Sequence, residues 1–229
     1  MSKIIFAASL TVAIASAASS LAQEPAAAAK EIAYTQSIEK RTQDILSALN
    51  LHEGVKRASV HDAIIAQYRG LKAWHDANDV GLNDLTKRLG QAKADEGQTL
   101  RAELAELKSS LKALHDAFLV RLSKDLSHEQ VEQVKDKLTY NVVHVTYNAY
   151  GQMLPNLTAP QKERILAMLK EAREEAMDGG SADEKHAVFG RYKGRINNYL
   201  AAEGYDLQTA SKELAEKLKA QQSAPKTRP

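Results

Sequence analysis

The chain has 229 residues, of which 44% are hydrophobic and 26% are charged, and its formal net charge is +2. This balance argues against an obligate nucleic-acid-binding protein, which usually carries a basic surplus on one face. Because the chain has no cysteine, disulfides, a thiolate nucleophile and cysteine-based metal sites are excluded.

The first 22 residues have the pattern of a secretory signal peptide. Lys3 precedes an apolar run from Ile4 to Ala18, and Ser20 and Ala22 supply the two small residues of a signal-peptidase site. We predict cleavage after Ala22 and export to the bacterial periplasm or the extracellular space. No later run approaches the roughly 18 apolar residues that a membrane span needs, so no span is expected.

Apolar residues recur at helical spacing along most of the remaining chain. We therefore predict one all-α domain over residues 23–220, packed like a bundle of six to eight helices, and a disordered tail over residues 221–229. In chain order, the apolar positions are Tyr34, Ile38, Ile45, Leu49; Val60, Ile64, Tyr68, Leu71, His75; Leu100, Leu104, Leu107, Leu111, Leu114, Phe118; Ile165, Leu169, Ala172, Ala176; Phe189, Tyr192, Ile196, Tyr199; and Leu214, Leu218.

Two connections stand out between these helices. The polar, glycine-bounded segment Gly90–Thr99 predicts a mobile loop before the leucine seam of the third helix. The stretch Tyr140–Thr158 predicts an irregular joint near residues 139–145, because its run of β-branched residues lowers helix propensity. A helix is expected to end near Leu138, and a short one to resume after Val145.

Four segments match the capping box, in which a polar residue stands three positions before Glu or Gln at a helix start. The pairs are Asn50 with Glu53, Ser127 with Gln130, Thr158 with Gln161, and Ser181 with Glu184. Two of them also resemble the Leu-Thr/Ser-x-x-Gln signature of periplasmic stress chaperones of the spheroplast-protein type. That resemblance implies a helical cradle for unfolded clients, but capping alone explains every residue of both segments.

The segments "LPNLT", "KEAREEAMD" and "YKGRINNYL" carry a more extensive resemblance. With the residues around them, they resemble the exported bacterial family called domain of unknown function 3826, from about Leu49 to Leu207. The resemblance implies an all-helical exported protein with, at most, a sugar-binding role. It implies no catalytic residues, because none is established for the family.

The chain lacks the common enzyme signatures: it has no His-Glu-x-x-His, no Gly-x-Ser-x-Gly and no glycine-rich phosphate loop. We predict no catalytic residue, no cofactor and no metal, so the protein is more readily a binding protein than an enzyme. Glu171, Glu174 and Glu175 alternate with Lys170 and Arg173, which is typical of a solvated helix face.

Three His-Asp dipeptides, at His61, His75 and His115, invite a metal interpretation. Consecutive helix positions point about 100° apart, however, so neighbours do not converge on one ion. We therefore expect these histidines to lie at the surface or at helix edges.

The helix around residues 184–200 has a stripe of small residues that includes Gly190 and Gly194. Glycine inside a helix costs about 1 kcal/mol relative to alanine, which indicates either close packing of another helix or a ligand. If this helix lies against the joint, aromatic faces and planar donors would line one groove. The candidate ligand-binding residues are His144, Tyr147, Tyr150, Arg191, Arg195 and Asn198.

The sequence thus favours an exported binding protein whose partner is a carbohydrate, such as an acidic glycan, or another small anionic ligand. The alternative is a periplasmic helical chaperone that binds unfolded polypeptide. An uncharacterised hydrolase or lyase is the third hypothesis. A narrow concavity lined by arginine and tyrosine would favour a sugar, and a broad apolar concave face would favour polypeptide clients.

Overall fold

The computed structural model describes residues 15–51 and 54–223. This part of the chain forms one domain of eight α-helices and no β-strand, which confirms the predicted all-α class and helix number. The helices are α1 (Ala15–Ala48), α2 (Val55–Gln91), α3 (Ala94–Leu122), α4 (His128–Leu138), α5 (Val142–Met153), α6 (Ala159–Met177), α7 (Ala182–Ala202) and α8 (Leu207–Ser223).

The predicted signal peptide lies partly outside the described residues, because α1 begins at Ala15. Cleavage and export therefore stay predictions. Residues 221–223 of the predicted tail belong to α8, and residues 224–229 lie outside the described residues. Among the helices described, none combines the length and apolar character required of a membrane span.

Helices α2 and α3 form a long antiparallel hairpin. Only Ala92 and Lys93 separate them, so the predicted loop over Gly90–Thr99 was wrong. The first turn of α3 carries Asp95 and Glu96, whose charges favour a helix N-terminus at this point. The leucine seam lies beside α2, where Leu114 lies against Gly70, but between Leu100 and Phe118 its members are only half-buried.

The joint between α4 and α5 is shorter than predicted. It comprises only Thr139, Tyr140 and Asn141, and α5 begins at Val142. Valine is tolerated in this helix because Val143 is buried, so packing outweighs its weak helix propensity. Tyr140 and Asn141 both have left-handed backbones, with φ of 60° and 56°. Such backbone strain persists only where surrounding contacts hold it.

Two apolar clusters form the core. The first is built by α1 to α4, and the second by α5, α6 and α7 with α8 packed on its edge. Helix α6 joins them, because its Met177 belongs to the first cluster and its Leu169 and Ala172 to the second. The predicted capping boxes at Ser127 and Thr158 are present.

The other two capping predictions have different outcomes: Ser181 caps α7, whereas Asn50 does not cap α2. Ser181 accepts a hydrogen bond from the amide of Glu184, whose carboxylate accepts one from the amide of Gly180. Asn50 has a left-handed backbone in the turn before α2, whose N-cap is Gly54, so that capping prediction was wrong. Its partner Glu53 lies outside the described residues.

Candidate functional site

The six predicted ligand-binding residues are distributed over different faces of the domain. His144 places its Nε2 atom 2.9 Å from Asp136, a residue that also binds Arg173 of α6. Arg191 pairs with Glu175, and Arg195 lies 3.8 Å from Glu171.

The spacing along α6 separates these contacts. Glu171 and Glu175 stand two positions either side of Arg173, and two positions turn a helix by about 200°. The two arginines therefore contact the face of α6 that lies opposite Arg173. His144 contacts Asp136 of α4, the partner of Arg173, and not the carboxylates that the arginines contact.

The remaining members lie elsewhere. Tyr147 and Tyr150 line a hollow of about 360 Å³ between α5 and α6, and the Tyr150 hydroxyl donates to Asn197 of α7 at 2.6 Å. Asn198 is exposed on α7. That any of these six residues binds a ligand stays a prediction.

No other helix of the described chain packs closely against the two glycines of α7. A Cβ atom added at Gly190 or Gly194 would meet nothing within 4 Å, so the expected close helix packing was wrong. The close approach lies instead in the turn between α6 and α7. A Cβ atom on Gly180 would lie 2.7 Å from the ring of His75, which reaches across from α2.

These two environments give a matched prediction. We expect Gly180→Ala to destabilise the protein by about 1–3 kcal/mol, because the ring of His75 is held in place by hydrogen bonds to Asp79 and to the carbonyl oxygen of Asp178. We expect Gly190→Ala to stabilise it by about 0.5–1 kcal/mol, because alanine favours an exposed helix. Urea denaturation of both variants checks this prediction, and equal effects would contradict it.

Two hollows that the sequence did not predict meet at Arg41 of α1. The smaller, about 190 Å³, lies between α1, α2 and the start of α7. The larger, about 390 Å³, lies between α1, α2 and the joint. Arg41 and Tyr68 line both hollows, and Tyr34 and Lys185 line the smaller one only. We call these two hollows together the Arg41 site.

Among the described residues, three cations line this site: Arg41 and Lys185 line the smaller hollow, and Lys137 lines the larger one with Arg41. The two cations of the smaller hollow bind only neutral oxygens. Arg41 donates to the hydroxyl of Tyr140 at 2.8 Å, and Lys185 donates to the carbonyl oxygen of Met177 at 3.2 Å. Asp178 and Glu184 are near Lys185, but Asp178 binds His115 and Glu184 binds the amide of Gly180 and the hydroxyl of Ser181. Within the described part of the chain, neither cation forms an ion pair.

Burial sets the protonation of the site. Only 5% of Lys185 is exposed, and this burial, with the charge of Arg41, lowers its pKa to about 8 against the opposing charges of Asp178 and Glu184. Burial raises the pKa of Tyr68 to about 12, so its hydroxyl stays protonated despite the nearby Arg41. The site therefore offers cationic and neutral donors to a ligand.

The left-handed joint forms one wall of this site. The ring of Tyr140 stacks on His186 with a centroid distance of 5.4 Å, and its hydroxyl accepts from Arg41. These contacts from α7 and α1 hold the unfavourable backbone of Tyr140 in place. The stretch Tyr140–Thr158 thus begins in a structural joint that also lines the Arg41 site. Tyr140 and Asn141 line the site, and His144 does not.

A polar cluster outside the Arg41 site is buried between α4 and α6. Arg173, only 3% exposed, binds Asp136 at 2.7 Å and also Glu132 and Glu174. The predicted solvated face was therefore wrong at Arg173. Burial raises the pKa of Glu174, but hydrogen bonds from His115 and Lys135 and the neighbouring cations lower it to about 2.

Two histidines connect the α2–α3 hairpin to the turn after α6. His115 of α3 lies 2.8 Å from the carboxylate of Asp178, and His75 of α2 lies 2.8 Å from its carbonyl oxygen. Both are largely buried, so the expected surface position was wrong for them. Among the described residues, no three His, Cys, Asp or Glu side chains are grouped as metal ligands.

The sequence carries a signal for the Arg41 site. Arg41 stands in the apolar stripe between Ile38 and Ile45, and Lys185 lies four positions before Phe189 in the stripe of α7. A cation in line with core positions indicates either a buried ion pair or a site.

Comparison with known proteins gives the family but no activity. No curated protein matches the chain significantly. A family described as "Protein of unknown function (DUF3826)" matches residues 35–220. That range holds Arg41, Tyr68, Tyr140 and Lys185, while Tyr34 lies one residue before it. This confirms the resemblance seen in the sequence, and the chain belongs to the DUF3826 family.

Proposed function

We propose that the protein is an exported binding protein that takes a small acidic sugar in the Arg41 site. One observation carries the proposal: Arg41 and Lys185 line the same cavity, and each binds only a neutral oxygen. Lys185 is buried and Arg41 is partly buried. A buried cation without a counter-ion is costly, and a carboxylate bound between the two would reduce that cost.

The two hollows suit the two parts of such a ligand. The smaller one holds both cations and the hydroxyl-bearing Ser37, and would receive the carboxylate. The larger one is lined by Asp44, Tyr140 and Asn141, whose polar groups match sugar hydroxyls. Volumes of about 190 and 390 Å³ together fall within the range of about 300–1,000 Å³ usual for small-molecule sites.

Aromatic rings support a sugar over a simple anion. Tyr34, Tyr68 and Tyr140 contribute ring surface to the walls of the site. The apolar face of a pyranose packs on such rings, while its hydroxyls need planar donors held on rigid elements.

Support for the chaperone alternative is weaker. The large exposed apolar residues of the described chain come from five different helices rather than one concave face: Ile32, Val55, Val80, Val120, Val145 and Leu218. A client-binding surface would need a contiguous apolar patch.

Isothermal titration calorimetry with glucuronate tests the proposal. We expect binding to the wild type, no binding of glucose, and a loss of about 10- to 100-fold in affinity for Arg41→Met, because a charge-assisted hydrogen bond contributes about 1.5–3 kcal/mol. Arg191→Met is the matched control, since Arg191 is an exposed arginine outside the site. Equal losses in both variants would contradict the proposal.

A further inference from the structure

Lys185 has an environment that binding an anion does not explain by itself. It lies in the first turns of α7 with its stem buried, and its Nζ atom reaches the carbonyl oxygen of Met177. A lysine required only for its charge would be stabilised by a carboxylate partner and by contact with water. Lys185 has neither a bound carboxylate nor appreciable exposure, and Arg41 lies close enough to act on its charge.

We propose that Lys185 is a reactive amine that forms an imine with a ligand carrying both a carbonyl group and a carboxylate. The inference rests on the proposed function, because the same cavity and the same Arg41 hold the carboxylate. The ligand class is an oxo acid, including a sugar acid in its open-chain form. Desolvation and a neighbouring cation are the two features that activate lysine amines toward carbonyl compounds.

The chemistry balances without any other reagent. The lone pair of the Lys185 Nζ atom adds to the carbonyl carbon, and a carbon–nitrogen bond forms. The π bond of the carbonyl opens in this addition, and the two protons of the amine pass to the oxygen. The carbon–oxygen bond then breaks, water leaves, and the nitrogen lone pair forms the second bond of the imine. Water reverses the reaction, so the ligand is released unchanged unless a later step intervenes.

The surrounding charges set the pH range in which the amine is neutral. Burial and Arg41 of α1 favour the neutral form, while Asp178 and Glu184 of the α6–α7 region favour the ammonium. With a pKa of about 8 for Lys185, about a tenth of the amine is neutral at pH 7, whereas an ordinary lysine is neutral in roughly one molecule of several thousand.

Trapping with glyoxylate and cyanoborohydride tests the inference. Hydride reduces the imine to a stable secondary amine, so each reacted lysine carries a carboxymethyl group that peptide mass spectrometry locates. We expect Lys185 of the wild type to be labelled at least about tenfold faster near pH 7.5 than the exposed Lys170. This comparison is internal to one folded protein and needs no variant.

A variant then separates carbonyl capture from carboxylate binding. In Arg41→Met, labelling of Lys185 by glyoxylate should slow much more than labelling by glycolaldehyde, which has no carboxylate. Loss of Arg41 makes the amine less often neutral for both reagents, but it removes a carboxylate partner for glyoxylate only. If glucuronate binds in calorimetry but Lys185 is labelled no faster than Lys170, the imine inference is overturned and the binding function survives. If neither glucuronate nor glyoxylate depends on Arg41, the binding function itself is overturned.

Discussion

Replacement of Arg173 by methionine is expected to lower the free energy of unfolding by about 3–5 kcal/mol. The guanidinium binds Asp136, Glu132 and Glu174, and it is almost fully buried between α4 and α6. Among the described residues, its removal leaves the largely buried carboxylate of Asp136 with only His144 as a side-chain partner, whereas Glu132 and Glu174 keep Lys135. The uncompensated desolvation of Asp136 is the main cost.

Arg191→Met is the matched control for this prediction. Arg191 of α7 pairs with Glu175 of α6, the helix that also carries Arg173. More than half of the Arg191 side chain is exposed. An exposed ion pair contributes about 0–1 kcal/mol, so the control should change stability by no more than that. Denaturant titration of both variants measures the two changes in the free energy of unfolding. A cost below about 1 kcal/mol for Arg173→Met would mean that the cluster is solvated in solution.

The protein should lose stability as the pH rises from about 6.5 to about 9, through deprotonation of His115. Hydrogen bonds to Asp178 and then to Glu174 raise the pKa of this histidine from 6.5 to about 9, despite its burial. A raised pKa in the folded state stabilises the protein below the unfolded value, and this contribution disappears as the pH passes the folded value. The contribution is on the order of 3 kcal/mol.

Lys185 acts in the opposite sense over a neighbouring range. Because its pKa is lowered from 10.5 to about 8, its protonation opposes folding, and the protein gains stability from Lys185 as the pH rises past about 8. The wild type alone would therefore lose stability between about pH 6.5 and pH 8, and its stability would change little between about pH 8 and pH 9, where the two effects oppose each other.

The difference between wild type and His115→Gln isolates the histidine. We expect a difference of about 3 kcal/mol near pH 6 that shrinks toward zero above about pH 9. A difference that stays constant between about pH 6 and pH 9 would show that folding does not raise the pKa of His115.

Helical periodicity predicted the fold well because it depends on each helix alone. The stripes through Ile38, Ile64 and Ile196 all proved buried. Connections were less predictable, since they depend on packing between helices. Val142 and Val143 suggested an extended segment, but burial of Val143 against α6 and α7 favours the helix, and only three residues form the joint.

The Arg41 site was missed for a related reason. Periodicity places Arg41 and Lys185 on the apolar faces of α1 and α7, but it does not show that these faces meet. Conversely, the predicted groove required His144 and Arg195 on one surface, but His144 contacts Asp136 of α4, whereas Arg195 lies near Glu171 on the face of α6 that is turned away from Arg173. The residue types were informative, whereas the pairing of helices came only with the fold.

A crystal structure of the protein with bound glucuronate tests the proposed site most directly. We predict that the carboxylate lies within about 3 Å of both Arg41 and Lys185 and that the sugar ring contacts Tyr68 and Tyr140. Glucuronate bound on the outer face of α7, beside Arg195 and Asn198, with the Arg41 site empty would contradict the proposal.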